Sequence, residues 1–195
     1  MNLKKLFFAA VIVLSANASF AQDSNFDSHT VSINIDEVAL LDLEATAGTA
    51  IILRGTAPTE AGEAVIFGTN ATNATIWINY SSIVGSASDP ARNVTVKITD
   101  GFVPTGLKLT VLAAADAGNG AGNVGLATST ATILDDVTEQ EIISGVGSAY
   151  TGDGANSGHK LTYQLDYETD AATDYGSLDF DKTDVLTITY TLSDI

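Results

Sequence analysis

Apolar and polar residues alternate with a period of two along much of this chain, and this period is typical of β-strands with one buried face. The clearest example is residues 74–84, where Ile76, Ile78 and Tyr80 share one side of the predicted strand. Trp77, the only tryptophan, has the opposite parity. Because a buried tryptophan covers ~150–250 Å² of surface, we expect Trp77 to pack in a core between two sheets.

The same alternation recurs in segments that are separated by turn residues. About nine strands are predicted, at residues 30–43 with a bend after residue 35, 50–56, 74–84, 93–99, 107–112, 126–134, 138–143, 159–167 and 185–192. Short strands with one polar face predict an all-β fold, an antiparallel immunoglobulin-like β-sandwich, in one domain over residues 30–195. Residues 22–29 predict a flexible arm, and the Gly- and Asn-rich residues 116–125 and 145–158 predict surface loops.

Residues 1–21 have the pattern of a secretory signal peptide. Lys4 and Lys5 precede an apolar run at residues 6–14, which is too short to span a bilayer because spanning takes about 20 residues. A small-residue motif predicts cleavage between Ala21 and Gln22. We therefore expect an exported protein of the periplasm, cell surface or exterior, with no membrane span after cleavage.

The composition excludes several classes of function. The formal net charge is −16 at pH 7, which repels nucleic acid and anionic lipid, so no nucleic-acid partner is expected. The chain contains no cysteine. It therefore forms no disulfide, no thiolate nucleophile and no cysteine metal site.

Four segments taken together resemble a family of small secreted Gram-negative bacterial β-sandwich proteins. These segments read VSINIDEVALLDLE, NATIWINYSSIV, ARNVTVKITDG and DVLTITYTLSD. More loosely, the chain is similar to fimbrial and pilin-like subunits, which are immunoglobulin-like sandwiches that polymerise by strand exchange. The resemblance implies a structural or adhesive role at the cell surface.

The resemblance also implies a donor segment. In fimbrial subunits an N-terminal extension with alternating apolar residues completes the sheet of a neighbour. Here that segment would contain Val31, Ile33 and Ile35, or residues 38–43, and the partner would be a second copy or another surface protein. The chain departs from the fimbrial pattern in having no disulfide and in placing Tyr190 five residues from its end. The alternative, which we favour from the sequence, is that residues 30–43 pair within their own domain.

An acidic run in the C-terminal part suggests a metal site. Its members are Asp166, Glu168, Asp170, Asp174, Asp179, Asp181 and Asp184. Ca²⁺ takes about six to eight oxygen ligands, so Asp174, Asp179, Asp181 and Asp184 are the candidate ligands. The spacing is neither that of an EF-hand loop nor that of a nonapeptide repeat. A solvated edge that resists aggregation is the other interpretation, and no cofactor besides Ca²⁺ is expected.

Catalysis finds little support in the sequence. A Ser–His–Asp arrangement would have to use His159, because His29 lies in the predicted arm. No G-x-S-x-G motif is present to expose a serine nucleophile. The ordinary interpretation of His159 is the first residue of a strand, and we expect no enzymatic activity and no catalytic residue.

Aromatic residues leave a sugar-binding role open. Carbohydrate-binding sandwiches present aromatic side chains on one face, and Trp77 would form such a surface if it faced outward. From the sequence we therefore predict a non-enzymatic structural or adhesive protein of the cell surface, with a fimbria-like subunit as one form of that role. The alternative is a β-sandwich module that binds carbohydrate or calcium.

Overall fold

The structure, a computed structural model, describes residues 25–182 and 184–195. In this part of the chain β-strands dominate and the helical segments are single turns. The strands are β1 (Val38–Ala45), β2 (Thr72–Ile83), β3 (Arg92–Asp100), β4 (Leu107–Asp116), β5 (Ala121–Gly122), β6 (Leu126–Ala127), β7 (Thr132–Ile133), β8 (Gln140–Val146), β9 (Ala149–Tyr150), β10 (His159–Tyr167) and β11 (Thr187–Asp194). The helical turns are α1 (Ala171–Asp174) and two 3₁₀ turns, Gly68–Asn70 and Tyr175–Ser177.

The chain divides between Ile35 and Asp36 into two units, and the second unit holds every strand named above. The predicted signal peptide and its cleavage site at Ala21 and Gln22 lie outside the described residues.

Two antiparallel sheets form the second unit. In the larger sheet, β1 runs along one edge of β2, while β10 and the short β9 pair with its other edge. The strand β4 follows β10, and β7 and β5 complete the larger sheet. The smaller sheet has the order β11–β3–β8–β6. The inward residues of both sheets pack in one core, so the prediction of an all-β sandwich is confirmed.

The core consists of the alternating aliphatic residues that the sequence pattern identified. Ile78, Val96 and Leu161 are fully buried, because each lies on the inward side of its strand. One polar contact crosses the core. The hydroxyl groups of Tyr163 on β10 and Tyr190 on β11 lie 2.5 Å apart and join the two sheets.

Burial of this tyrosine pair changes its chemistry. Burial raises the pKa of Tyr163 to about 12, and the hydrogen bond with Tyr190 opposes that rise. Burial also raises the pKa of Tyr190 well above its ordinary value. Both phenols therefore stay protonated far into the alkaline range.

Three predicted strands differ from the structure. Residues 30–35 form no strand, and β1 begins only at Val38. Residues 50–56 keep the predicted alternation, since Ile51 and Leu53 pack against the core while Ile52 is exposed, but they pair only through a single bridge from Thr56. The predicted strand at 126–134 is two strands of two residues, β6 and β7, that belong to different sheets.

The two glycine-rich segments, predicted as surface loops, are exposed over much of their length, but they are not independent of each other. They dock against each other through β5 and β9, with backbone touching backbone. A Cβ on Gly120 would lie 1.7 Å from the carbonyl oxygen of Tyr150, and one on Gly122 would lie 2.2 Å from that of Ser148. Only glycine fits this junction.

Candidate functional site

The segment that precedes β1 exposes three large aliphatic side chains in an alternating pattern. Val31, Ile33 and Ile35 are 71%, 85% and 80% exposed, and within the described residues this segment belongs to no sheet. Burying such a side chain is worth about 1.5–3 kcal/mol. The exposed segment of residues 30–35 therefore has the alternating sequence of a strand, but it pairs with no strand among the described residues.

Strand geometry begins immediately after this segment. Val38–Ala45 pairs with Ile83–Ile76 in an unbroken antiparallel register. The prediction of a strand at residues 38–43 is confirmed, and these residues pair within their own domain. Of the two donor segments considered, residues 30–35 remain the candidate.

A buried arginine fixes the start of β1. Arg92, the first residue of β3, is 1% exposed although it is charged. Its Nη1 donates to the carbonyl oxygen of Val38 at 2.6 Å, and its Nη2 pairs with the carboxylate of Glu37. The chain is thus held firmly where the exposed segment ends.

The same guanidinium joins the two sheets. Its Nη1 also donates to Ser82 Oγ at 3.0 Å and to the carbonyl oxygen of Ile83 at 3.2 Å, at the end of β2. Its Nε donates to Asp194 Oδ1 at 2.8 Å, at the end of β11. A planar group with five N–H donors suits this set of acceptors better than a lysine would. No sequence pattern predicted a role for Arg92, although one of only two arginines in a strongly acidic chain was a usable signal.

The outer strands β1 and β11 lie beside each other on the same side of the sandwich. β1 pairs only with β2, and β11 pairs only with β3, so each of these eight-residue strands has one unpaired edge among the described strands. The aliphatic residues of β1 and β11 that pack against the core are only partly buried, whereas Ile78, Val96 and Leu161 of the central strands are fully buried. These partly buried residues are Leu41, Leu43, Ile188 and Leu192, and Leu186, directly before β11, is partly buried as well. The core is therefore incompletely covered along the edges of β1 and β11.

The candidate calcium ligands bond to nearby backbone groups instead of converging. Asp174 is buried, and its Oδ2 accepts hydrogen bonds from the backbone N–H groups of Thr169 and Asp170. Asp179 accepts from Asp181 N, and Asp184 accepts from Phe102 N at 2.9 Å.

Neighbouring acids have the same local role. Asp170 caps α1, and the hydrogen bond from Thr173 N lowers the pKa of its carboxyl group. In residues 25–182 and 184–195, no three His, Asp or Glu side chains form a group that could hold a metal ion. The structure thus gives the predicted calcium site no support.

Trp77 faces outward, so the prediction of a core tryptophan is wrong. It lies half-buried on the outer face of the larger sheet, because Ile76, Ile78 and Tyr80 occupy the inward side of β2. Glu44 on β1 and Lys160 on β10 flank it in one cross-strand row, and Lys160 Nζ lies 6.0 Å from the ring centroid. A ligand that stacks on the Trp77 ring would therefore bind to this outer face.

His159 begins β10, as predicted, and it is almost fully buried. Its Nδ1 contacts the carbonyl oxygen of Ala114 at 2.9 Å, and its Nε2 contacts the Tyr80 hydroxyl at 2.8 Å. The Tyr80 hydroxyl in turn donates to the carbonyl oxygen of Val124. Burial raises the pKa of Tyr80, and the nearby charge of Asp116 raises it further. Both ring nitrogens of His159 therefore bond to protein groups.

Comparison with known proteins gives no match, whether with family models, with curated proteins or with solved structures. A search of the described helices finds none with the length and apolar character that a membrane crossing requires.

Proposed function

We propose that this chain is an exported, non-enzymatic structural protein of the cell surface, and that residues 30–35 add as a β-strand to a second copy. The observation that carries the proposal is the exposure of Val31, Ile33 and Ile35 without a sheet. An extended segment that joins an open sheet edge gains backbone hydrogen bonds, and its alternate side chains supply specificity.

The chemistry of the segment favours strand addition. Its apolar residues are β-branched, which suits a pleated strand, and Thr30, Ser32 and Asn34 would occupy the other face. Residues 30–35 carry no charge in a chain of net charge −16. The segment can therefore approach a second copy without the repulsion that other parts of the surface would meet.

The acceptor that fits this segment is the uncovered core along β1 and β11. The unpaired edge of β11 offers eight residues of backbone groups, and Leu186, Ile188 and Leu192 lie partly exposed beside it. Open edges of this length are normally protected in soluble proteins. A six-residue strand with three aliphatic side chains would cover the edge and complete the core.

A non-enzymatic role agrees with the state of His159. Both of its ring nitrogens contact Ala114 and Tyr80, so neither is free to act as a general base. The signal-peptide pattern supports export. We also propose that the two sheets are connected in the immunoglobulin-like topology.

The first experiment removes the apolar side chains without shortening the segment. In the mature protein, Val31, Ile33 and Ile35 are all changed to Ser, and the control changes Thr30, Ser32 and Asn34 to Ala. Light scattering over a wide concentration range should show oligomers for the unmodified and control proteins and monomers for the triple-Ser protein. An unmodified protein that stays monomeric at every concentration refutes the proposal.

The second experiment locates the acceptor edge. The chain has no cysteine, so two introduced cysteines can cross-link without competition. A Ser32→Cys protein is mixed under oxidation with Thr187→Cys, Thr189→Cys or Thr191→Cys, and a mixed dimer should form with at least one of them. The control, Thr130→Cys, is exposed beyond β6 and should form none above background. Equal yields from all four would contradict the assignment to β11.

Carbohydrate binding is the second candidate, because Trp77 faces outward between Glu44 and Lys160. Aromatic rings with nearby polar groups offer a stacking surface with hydrogen-bond partners. Calorimetric titration with oligosaccharides should then give heats of binding that Trp77→Ala abolishes and Tyr150→Ala, a control at another exposed aromatic residue, retains. Absence of heat across a panel of neutral and acidic glycans would remove this candidate.

A further inference from the structure

A pocket of about 350 Å³ opens between the two sheets on the edge formed by β4 and β6. β7 pairs with β4 only at Thr110 and Val111, so the edge of β4 from Leu112 to Asp116 has no strand beside it. Residues 125–129 of the opposite sheet form the other wall. The pocket thus exists because β7 is only two residues long.

The walls of this pocket are mainly apolar. Leu112, Ala113 and Ala127 line it, together with the hydroxyl-bearing Ser129. His159 also lines it, but both ring nitrogens already contact Ala114 and Tyr80. His159 therefore borders the pocket as an almost fully buried residue, and neither ring nitrogen is available to a ligand.

Asp116 is the charged group of the pocket, and its hydrogen bonding is incomplete. Its Oδ2 accepts from Gly118 N at 2.7 Å, whereas its Oδ1 is buried and has no hydrogen-bond partner. Among the described residues, the ion pairs are those of Arg92, so Asp116 has no cationic partner. Its negative charge also reaches the interior, where it adds to the rise in the pKa of Tyr80 that burial causes.

A buried carboxylate oxygen without a donor is costly, since an unmade hydrogen bond to a charged group loses more than a neutral one. Oδ1 itself is closed to solvent, but the Asp116 side chain is partly exposed and lines the pocket, so a cation in the pocket would pair with the carboxylate as a whole. A primary ammonium on a short aliphatic chain fits this site, because its methylene groups suit the apolar walls and its charged N–H groups can donate to the Asp116 carboxylate.

We propose that this pocket binds the primary ammonium group of an aliphatic ligand, with Asp116 as its counter-ion. A lysine side chain of a partner protein and a free aliphatic diamine present the same chemistry. The site is on the other edge of the sandwich from β1 and β11, and it does not depend on strand addition.

The test is an NMR titration of the mature protein with n-butylammonium chloride, with n-butanol as an uncharged ligand of the same shape. We expect saturable shifts of the amides of Gly118, Leu126 and Ser129, with a Kd on the order of 1–10 mM for so small a ligand. Butanol should bind at least tenfold more weakly. Equal binding of butanol and butylammonium would overturn the role of Asp116, and this comparison needs no variant.

Two variants of equal charge separate a specific site from general attraction to an acidic protein. Asp116→Asn keeps an acceptor for Gly118 N and should weaken butylammonium binding at least tenfold, while Asp42→Asn at an exposed position on β1 should leave it unchanged. Equal weakening by both variants would refute the site. Titration with Nα-acetyl-lysine N-methylamide and with 1,5-diaminopentane then distinguishes the two sources, since the tighter ligand identifies the class of natural partner.

Discussion

Replacing Arg92 with Ala should be among the most destabilising single changes in the domain. The change removes the donors of the buried Ser82 Oγ and of the partly buried carbonyl oxygens of Val38 and Ile83, and an acceptor left fully buried without a donor costs about 1–3 kcal/mol. Glu37 and Asp194 lose a partner too, but their side chains are 62% and 48% exposed and regain water cheaply.

The sum, reduced by water entering the gap, is about 3–5 kcal/mol, which agrees with the cost of removing one partner of other buried ion pairs. That is a large part of the ~5–15 kcal/mol by which domains are stable. At roughly 2–4 °C per kcal/mol for a domain of this size, Tm should fall by about 6–20 °C.

Urea denaturation followed by circular dichroism measures this loss. Arg54→Ala is the matched control, because Arg54 is the other arginine, is exposed, and forms no ion pair within the described residues. Its change should stay within about 0.5 kcal/mol. Glu37→Gln and Asp194→Asn should each cost less than about 1 kcal/mol. If Arg92→Ala loses no more than Arg54→Ala, the guanidinium does not hold the sheets together.

Three further predictions follow from buried groups. Since burial raises the pKa of Tyr163 to about 12 and raises that of Tyr190 well above its ordinary value, the folded state holds protons that the unfolded state releases near pH 10. Stability should therefore be lost as the pH rises above about 10, and denaturant melts from pH 8 to 12 should show this loss, which replacement of both tyrosines by Phe removes. Gly120→Ala should lower the free energy of unfolding by about 1–3 kcal/mol or more, because the added methyl group overpacks the junction. Gly176→Ala is the control: a Cβ there meets no atom within 4 Å, so the free energy of unfolding should hardly change in the same melts. Asp174→Ala should lower the free energy of unfolding by about 1–3 kcal/mol, because two backbone N–H donors lose their acceptor. EDTA should leave the Tm of the unmodified protein unchanged, and a Tm that Ca²⁺ raises would contradict the structural role of Asp174.

Most strands could be predicted from the sequence because burial of one face imposes the period of two. Residues 93–99 and 159–167 match β3 and β10 closely for this reason. The period does not say which face is buried, however. In β2 the aliphatic side with Ile76 and Ile78 occupies the core, and Trp77 is left outside, although its size had suggested the reverse.

Alternation of apolar and polar residues also does not guarantee that a segment pairs with another strand. Residues 30–35 and 50–56 both alternate, yet one segment is exposed and the other packs against the core with a single bridge. Pairing depends on which backbone edge is vacant elsewhere in the fold, and that is a property of the whole chain.

The cluster around Arg92 was the least predictable part of the site, because its contacts join residues that are distant in sequence. The acceptors of Arg92 come from residues 37, 38, 82, 83 and 194, and no local pattern connects them. The close approach of Gly120 to Tyr150 is likewise invisible in a sequence that merely looks flexible. Glycine is needed at this position because the neighbouring backbone leaves no room for a side chain, and not because the loop must be flexible.

The outward position of the single tryptophan makes the protein a ready optical reporter. Excitation of Trp77 would sample only the outer surface of the larger sheet, where Lys160 lies 6.0 Å from the ring. The wavelength of its fluorescence emission would shift when a molecule binds to that surface, so an unlabelled sample can report binding on the outer face of the sheet.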